Sequence, residues 1–172
     1  MKRGQLLSQP LFYVFAIIVI GMTLVFGFYM INKLLDTGCK VENVKFVADI
    51  RENVQEIYSV GFSGSSKKCL ISSRASDSKC NILMPSGIKG MCFVDATKGD
   101  YSGVDIKEIR EELESLEYKD RNLFFVSEKE NCELNSVKLN HVDINEPFCI
   151  RKGESKNILI ENKGRNVEIK EI

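Results

Sequence analysis

Tryptophan is absent from this 172-residue chain, histidine occurs once and proline three times. One imidazole, His141, cannot build a multi-histidine metal site. No two cysteines are spaced Cys-x-x-Cys, which argues against a zinc ribbon or finger. Neither sign of charge is in excess, with 24 basic and 24 acidic side chains. No basic surface therefore invites nucleic acid, and no acidic block forms a polyelectrolyte tail. The chain also lacks internal repeats, low-complexity tracts and any Asn-x-Ser/Thr sequon. With few prolines and only 12 glycines, it reads as ordered.

Catalytic constellations are missing too. His141 reads as a strand residue near Asp143, and a Cys–His nucleophile would need a free thiolate beside it. Glu108, Glu111, Glu112, Glu114 and Glu117 recur at spacings that spread them round a solvated helix. Asp95, Asp100 and Asp105 do not follow the alternating-ligand pattern of a calcium loop. Gly87, Gly90, Gly99 and Gly103 lack the strand–loop–helix context of a phosphate cradle. The expectation is a protein that is not an enzyme, with no catalytic residue, metal or cofactor assigned.

What the chain has is one long apolar run. Leu11–Ile31 carries no charge and follows Lys2-Arg3. At about 1.5 Å per residue it reaches ~31 Å as a helix, the thickness of a bilayer's hydrocarbon core. Helix is required because an isolated strand leaves its amides unpaired in lipid. Phe12, Tyr13 and Phe15 at one end, and Phe26, Phe28 and Tyr29 at the other, suit the two interfaces. A cleaved signal peptide is the competing reading. The run exceeds the usual signal core, and Asn32-Lys33-Leu34-Leu35-Asp36 offers no small-x-small cleavage site. Membrane lipid is thus the expected partner. The expected organisation is residues 1–10 as a basic cytoplasmic head or a leader, 11–31 a transmembrane helix, 32–60 a juxtamembrane amphipathic helix, and 61–172 an extracytoplasmic α+β domain.

Lysines flank the run on both sides, so charge alone leaves orientation nearly tied. The cysteines decide it. Cys39, Cys69, Cys80, Cys92, Cys132 and Cys149 all follow the run. An even number on one side predicts disulfides in an oxidising compartment, with the N-terminus cytoplasmic and the cell membrane as location. Cys80 with Cys92, and Cys132 with Cys149, each bracket a turn and are the favoured pairs.

Phe46, Ile50, Val54 and Ile57 recur at helical spacing and predict an amphipathic helix that packs on its own domain. Asp36-Thr37-Gly38 before it reads as a helix stop or hinge. Runs at Cys69–Ile71, Ile82–Met84 and Met91–Val94 suggest a three-stranded meander. Asp105 opens a second helix with Ile106, Ile109, Leu113 and Leu116 on one face, and with ion pairs Lys107/Glu111 and Arg110/Glu114. Strands follow at Leu123–Val126 and Phe148–Ile150. The parity change between Val137/Leu139 and Val142/Ile144 suggests a bulge near Asn140-His141. Ile158/Ile160 and Val167/Ile169 flank a hairpin turn. The fold class is α+β: one N-terminal transmembrane helix, then a disulfide-stapled, mostly antiparallel β domain with one or two amphipathic helices.

Lys2-Arg3-Gly4-Gln5 before a hydrophobic helix resembles the leader of archaeal type IV pilin-like precursors. The resemblance implies cleavage between Gly4 and Gln5, and self-assembly through the membrane helix into a filament. Gln9 stands where that family carries an acidic residue, and Ser8-Gln9-Pro10 delays the apolar run, both unlike a major pilin. Gln9-Pro10-Leu11-Phe12-Tyr13, Cys92–Asp95 and Phe148–Ile150 also resemble small archaeal single-pass membrane proteins. That second resemblance implies no activity. The anchor and the cysteines together lead to the expectation of a single-pass cell-envelope protein with a structural or adhesive role, and the leader resemblance implies a pilin-like filament subunit as the alternative. An envelope enzyme carries least weight. The protein or surface ligand met outside the membrane is not encoded in any motif.

Overall fold

The computed structural model describes residues 8–114, 119–128 and 136–172, apart from the side chains of residues 8–11, 35, 36 and 39. Gly4, Gln5, Leu116, Glu117 and Cys132 lie outside the described residues, as does the Cys39 side chain. The chain divides into two units, Met1–Gly38 and Cys39–Ile172. In the first, the helix α1 (Ser8–Ser59) begins. Its Phe12–Leu34 stretch is 23 residues long and apolar enough to cross a bilayer by length and composition, a test that a signal sequence also passes. The side chains stand bare: Phe12 is 70% and Val25 72% exposed.

The expected stop at Asp36-Thr37-Gly38 is not there, because α1 runs through it. A mid-helix glycine costs only about 1 kcal/mol and does not by itself end a helix. The Thr37 hydroxyl turns back and donates to the Lys33 carbonyl at 2.8 Å, so it does not compete for the helical amides. Without proline in this stretch, nothing removes a helical hydrogen bond.

In the second unit the predicted stripe is buried, with Phe46, Ile50, Val54 and Ile57 all at 6% exposure or less. Two sheets form among the described residues. The first is ordered β2 (Asn81–Leu83), β1 (Ser66–Ser72), β8 (Ser155–Asn162), β9 (Val167–Glu171), β6 (Val142–Asp143). The second is ordered β5 (Ser136–Val137), β4 (Leu123–Ser127), β3 (Ile88–Phe93), β7 (Phe148–Arg151). Most pairings are antiparallel; β1–β2 and β6–β9 are parallel. The β8–β9 hairpin forms as expected, with Ile160 opposite Ile169.

The second sheet is buried on both faces, and that explains its unbroken apolar runs. Met91, Phe93, Leu123, Phe125, Phe148 and Ile150 share the main core with the α1 stripe and the first sheet. Phe46 meets Phe125 edge-on at 6.0 Å, and Phe93 stacks on Phe148 at 5.0 Å. The alternating residues Cys92, Phe124 and Cys149 face a second cluster with Ile109 and Leu113 of α2 (Lys107–Glu114). Of the predicted α2 ion pairs, Lys107–Glu111 forms at 3.5 Å. Arg110 instead donates to the Val104 carbonyl, and Asp105 pairs with Arg151 at 2.7 Å.

The meander is corrected. β1 takes β8 as its antiparallel partner, and β3 belongs to the other sheet. The favoured disulfides are corrected with it: Cys69 bonds Cys80, and Cys92 bonds Cys149. Cys92 lies directly opposite Cys149 across β3–β7, and the Leu70 amide bonds the Cys80 carbonyl across β1–β2. Cys92 and Cys149, 57 residues apart, pair because their strands lie side by side, whereas Cys80 takes Cys69, 11 residues back, across the β1–β2 pairing. Both bonds constrain the unfolded chain, by about 2–4 kcal/mol each on the entropic account.

Asn162 joins helix to hairpin. Its buried amide donates to the Ile57 carbonyl at 2.9 Å and reaches that of Tyr58 at 3.4 Å, while its oxygen accepts from the Gly164 amide at 2.7 Å. It thereby satisfies carbonyls that the end of α1 leaves open. Asn162→Ala should lower unfolding free energy by about 2–3 kcal/mol, read from the urea midpoint of the detergent-solubilised chain by far-UV circular dichroism, with its slope unchanged. An unmoved midpoint would show that water replaces the amide without loss.

Candidate functional site

The four described cysteine side chains are all in disulfides, so none of them offers a thiolate to His141. Among the described residues no group of three metal-ligating side chains converges. Asp95, Asp100 and Asp105 do not converge either: Asp95 bonds Thr97, Asp100 bonds the Ser102 amide, and Asp105 pairs with Arg151.

A polar concavity lies where the chain passes from the second sheet to the first. β5 and β6 are edge strands of different sheets, and residues 138–141 connect them. The expected bulge near Asn140-His141 is thus a change of sheet. The parity break in the sequence records a strand that ends and another that begins. His141 sits in the turn between them, not within a strand, with φ of 59°. It is the only non-glycine residue with positive φ among those described. Such a conformation costs about 1–2 kcal/mol for an L-residue, although histidine tolerates it better than most.

Three contacts hold that turn. The Asn122 side chain, buried at 8% exposure, acts as a rung of sheet. Its Nδ2 donates to the Leu139 carbonyl at 2.8 Å, and its Oδ1 accepts from the Leu139 amide at 2.7 Å. The His141 carbonyl accepts from the Val167 amide at 2.7 Å. Its imidazole stacks on Tyr58 of α1 with centroids 4.4 Å apart.

The resulting cleft has a volume of about 540 Å³ and is lined from four segments: Asp95 and Thr97, Asp120–Asn122, Lys138–Asp143, and Asn166. Lys98 fixes one wall. Its ammonium donates to Asp143 Oδ1 at 3.0 Å, the Ile144 carbonyl at 3.0 Å and Asn145 Oδ1 at 2.9 Å, using all three of its protons. Asp95 lies 3.6 Å away on the same charge. The Asn145 amide in turn donates to Glu168, so the lysine ties the loop after β3 to β6 and β9. Elsewhere in the lining Asp120 lies between Arg121 at 3.4 Å and Lys138 at 3.5 Å.

The hydrogen bond from Lys98 is the largest influence on Asp143 and holds its carboxyl below the ordinary carboxylate range, despite partial burial acting the other way. Cation–carboxylate contacts on both walls leave the cleft near neutral and dense in planar hydrogen-bonding groups. The sequence alone points to Asn140, His141, Asp143 and Asp95 but not to Lys98, Asp120, Arg121 or Lys138. The parity break at Asn140-His141, next to residue types that tolerate positive φ, was the one available signal. Comparison with known protein families, curated proteins and solved structures gives no match, so the cleft is read from its chemistry alone.

Because Asp143 titrates lower folded than unfolded, its stabilisation is complete above its unfolded value, near pH 4, and drains away as pH falls through the lower folded value. Lys98→Met should therefore destabilise the domain at pH 7, and the gap to the native chain should narrow below about pH 4. Urea midpoints across pH 2–7 test this; a gap that stays constant with pH would remove the ion pair from the account.

Proposed function

We propose that this is a single-pass membrane protein of the cell envelope, with its N-terminus inside and its domain displayed outside for a structural or adhesive role. The observation that carries the reading is the contrast along α1. Phe12–Leu34 presents large apolar side chains to its surroundings, whereas Phe46, Ile50, Val54 and Ile57 are buried. Water tolerates scattered exposed apolar residues but not a helix apolar all round, for which lipid is the matching solvent. The two disulfides favour an oxidising compartment for the domain, since cytosolic thiols are kept reduced.

A pilin-like filament subunit is the second reading. It is favoured by the resemblance at the leader and by an apolar helical stretch, Phe12–Leu34, of the kind that would bundle in a filament core. The archaeal assignment rests on that resemblance.

Protease applied to intact cells should remove the domain and leave a membrane-embedded N-terminal fragment; a domain protected until lysis would overturn the outside placement. Intact mass of the extracted protein separates the alternatives. A start at Met1 supports the stationary anchor, a start at Gln5 the pilin-like reading, and a start beyond Ile31 would replace both with a secreted protein.

A further inference from the structure

The geometry points to the cleft around Asn140 and His141 as a binding site for a neutral, polyhydroxylated ligand, the chemical class of a saccharide. This deepens the adhesive role and rests on the display reading given above.

Four observations converge on it. The volume of about 540 Å³ falls within the ~300–1,000 Å³ of small-molecule sites. The lining is planar and polar: carboxylates of Asp95, Asp120 and Asp143, the Arg121 guanidinium, and amides of Asn140 and Asn166. Such groups offer paired donors or paired acceptors, which match vicinal hydroxyls, each both donor and acceptor. Charge is offset locally, since Lys98 answers Asp95 and Asp143 while Arg121 and Lys138 answer Asp120. A site for an anion or polyamine would instead carry an excess of one sign.

The fourth observation is the backbone. The described non-glycine residue with positive φ lies on the rim of this cleft, and its stack on Tyr58 and the Asn122 rung keep it there. Strained positions persist where surrounding contacts over-determine them, and they gather at binding sites. Apolar anchors of the sort that hold peptides are scarce: Leu139 is buried and Val142 half-buried. That favours a sugar over a hydrophobic peptide.

The test uses the full chain in detergent micelles and saturation-transfer NMR with maltose, cellobiose and α-mannobiose. Citrate and spermidine serve as anionic and cationic comparators. At least one disaccharide should show transfer with a Kd of roughly 0.1–10 mM. Asp120→Ala combined with Asn140→Ala removes two exposed lining groups and should raise the Kd read from the transfer titration at least ~fivefold, at least about 1 kcal/mol of binding. The unfolding midpoint reports whether the double variant is folded, and Asn140→Ala alone serves if it is not. No transfer from any disaccharide, an unchanged Kd in the folded variant, or transfer confined to citrate or spermidine would each overturn the proposal. Protease shaving of cells reads the display separately. A displayed domain that ignores all three sugars sinks the ligand and not the anchor.

Discussion

Burial of the stripe Phe46–Ile50–Val54–Ile57 is the contact on which the domain depends. Each of these side chains contributes roughly 1.5–3 kcal/mol when taken out of water, and together they meet residues of both sheets. The first sheet's strands are short or have a half-exposed face, and the second sheet needs cover on two sides. A helix presenting Phe46 to Phe125, and offering its last carbonyls to Asn162, engages both sheets. The same helix then has two demands on its surroundings, because its first half carries apolar side chains that none of the described residues covers.

The disulfides answer the difficulty of a modest core. A domain of this size buries a limited share of its surface, and cross-links between spatially adjacent strands reduce the entropy of the unfolded chain. Cys92–Cys149 lies under α2 and ties β3 to β7, while Cys69–Cys80 ties β1 to the start of β2. Both are buried, so neither is placed as an exposed redox handle.

Periodicity revealed elements well and neighbours poorly. The stripe on α1, the buried face of α2 and the β8–β9 hairpin were legible because each is a local pattern of 3.6 or 2 residues. Sheet membership was not, since alternation states which residues share a face but not which strand lies alongside. For that reason the run Cys69–Ile71 reads as part of a meander, and bracketing a turn does not single out Cys92–Cys149, whose halves lie 57 residues apart on neighbouring strands. The helix stop at Gly38 failed because glycine weakens a helix without ending it. The cleft was visible only as a parity break, because its lining comes from four segments spread between Asp95 and Asn166. Sequence named His141 and Asp143, and only the fold brought Lys98 and Asp120 to them.

The display reading and the cleft's proposed ligand have a common premise: the bare half of α1 resides in lipid. Alkaline carbonate washing of native membranes followed by ultracentrifugation tests it most directly. The account predicts the intact chain in the pellet, released only by detergent. Full-length chain in the aqueous supernatant would contradict it.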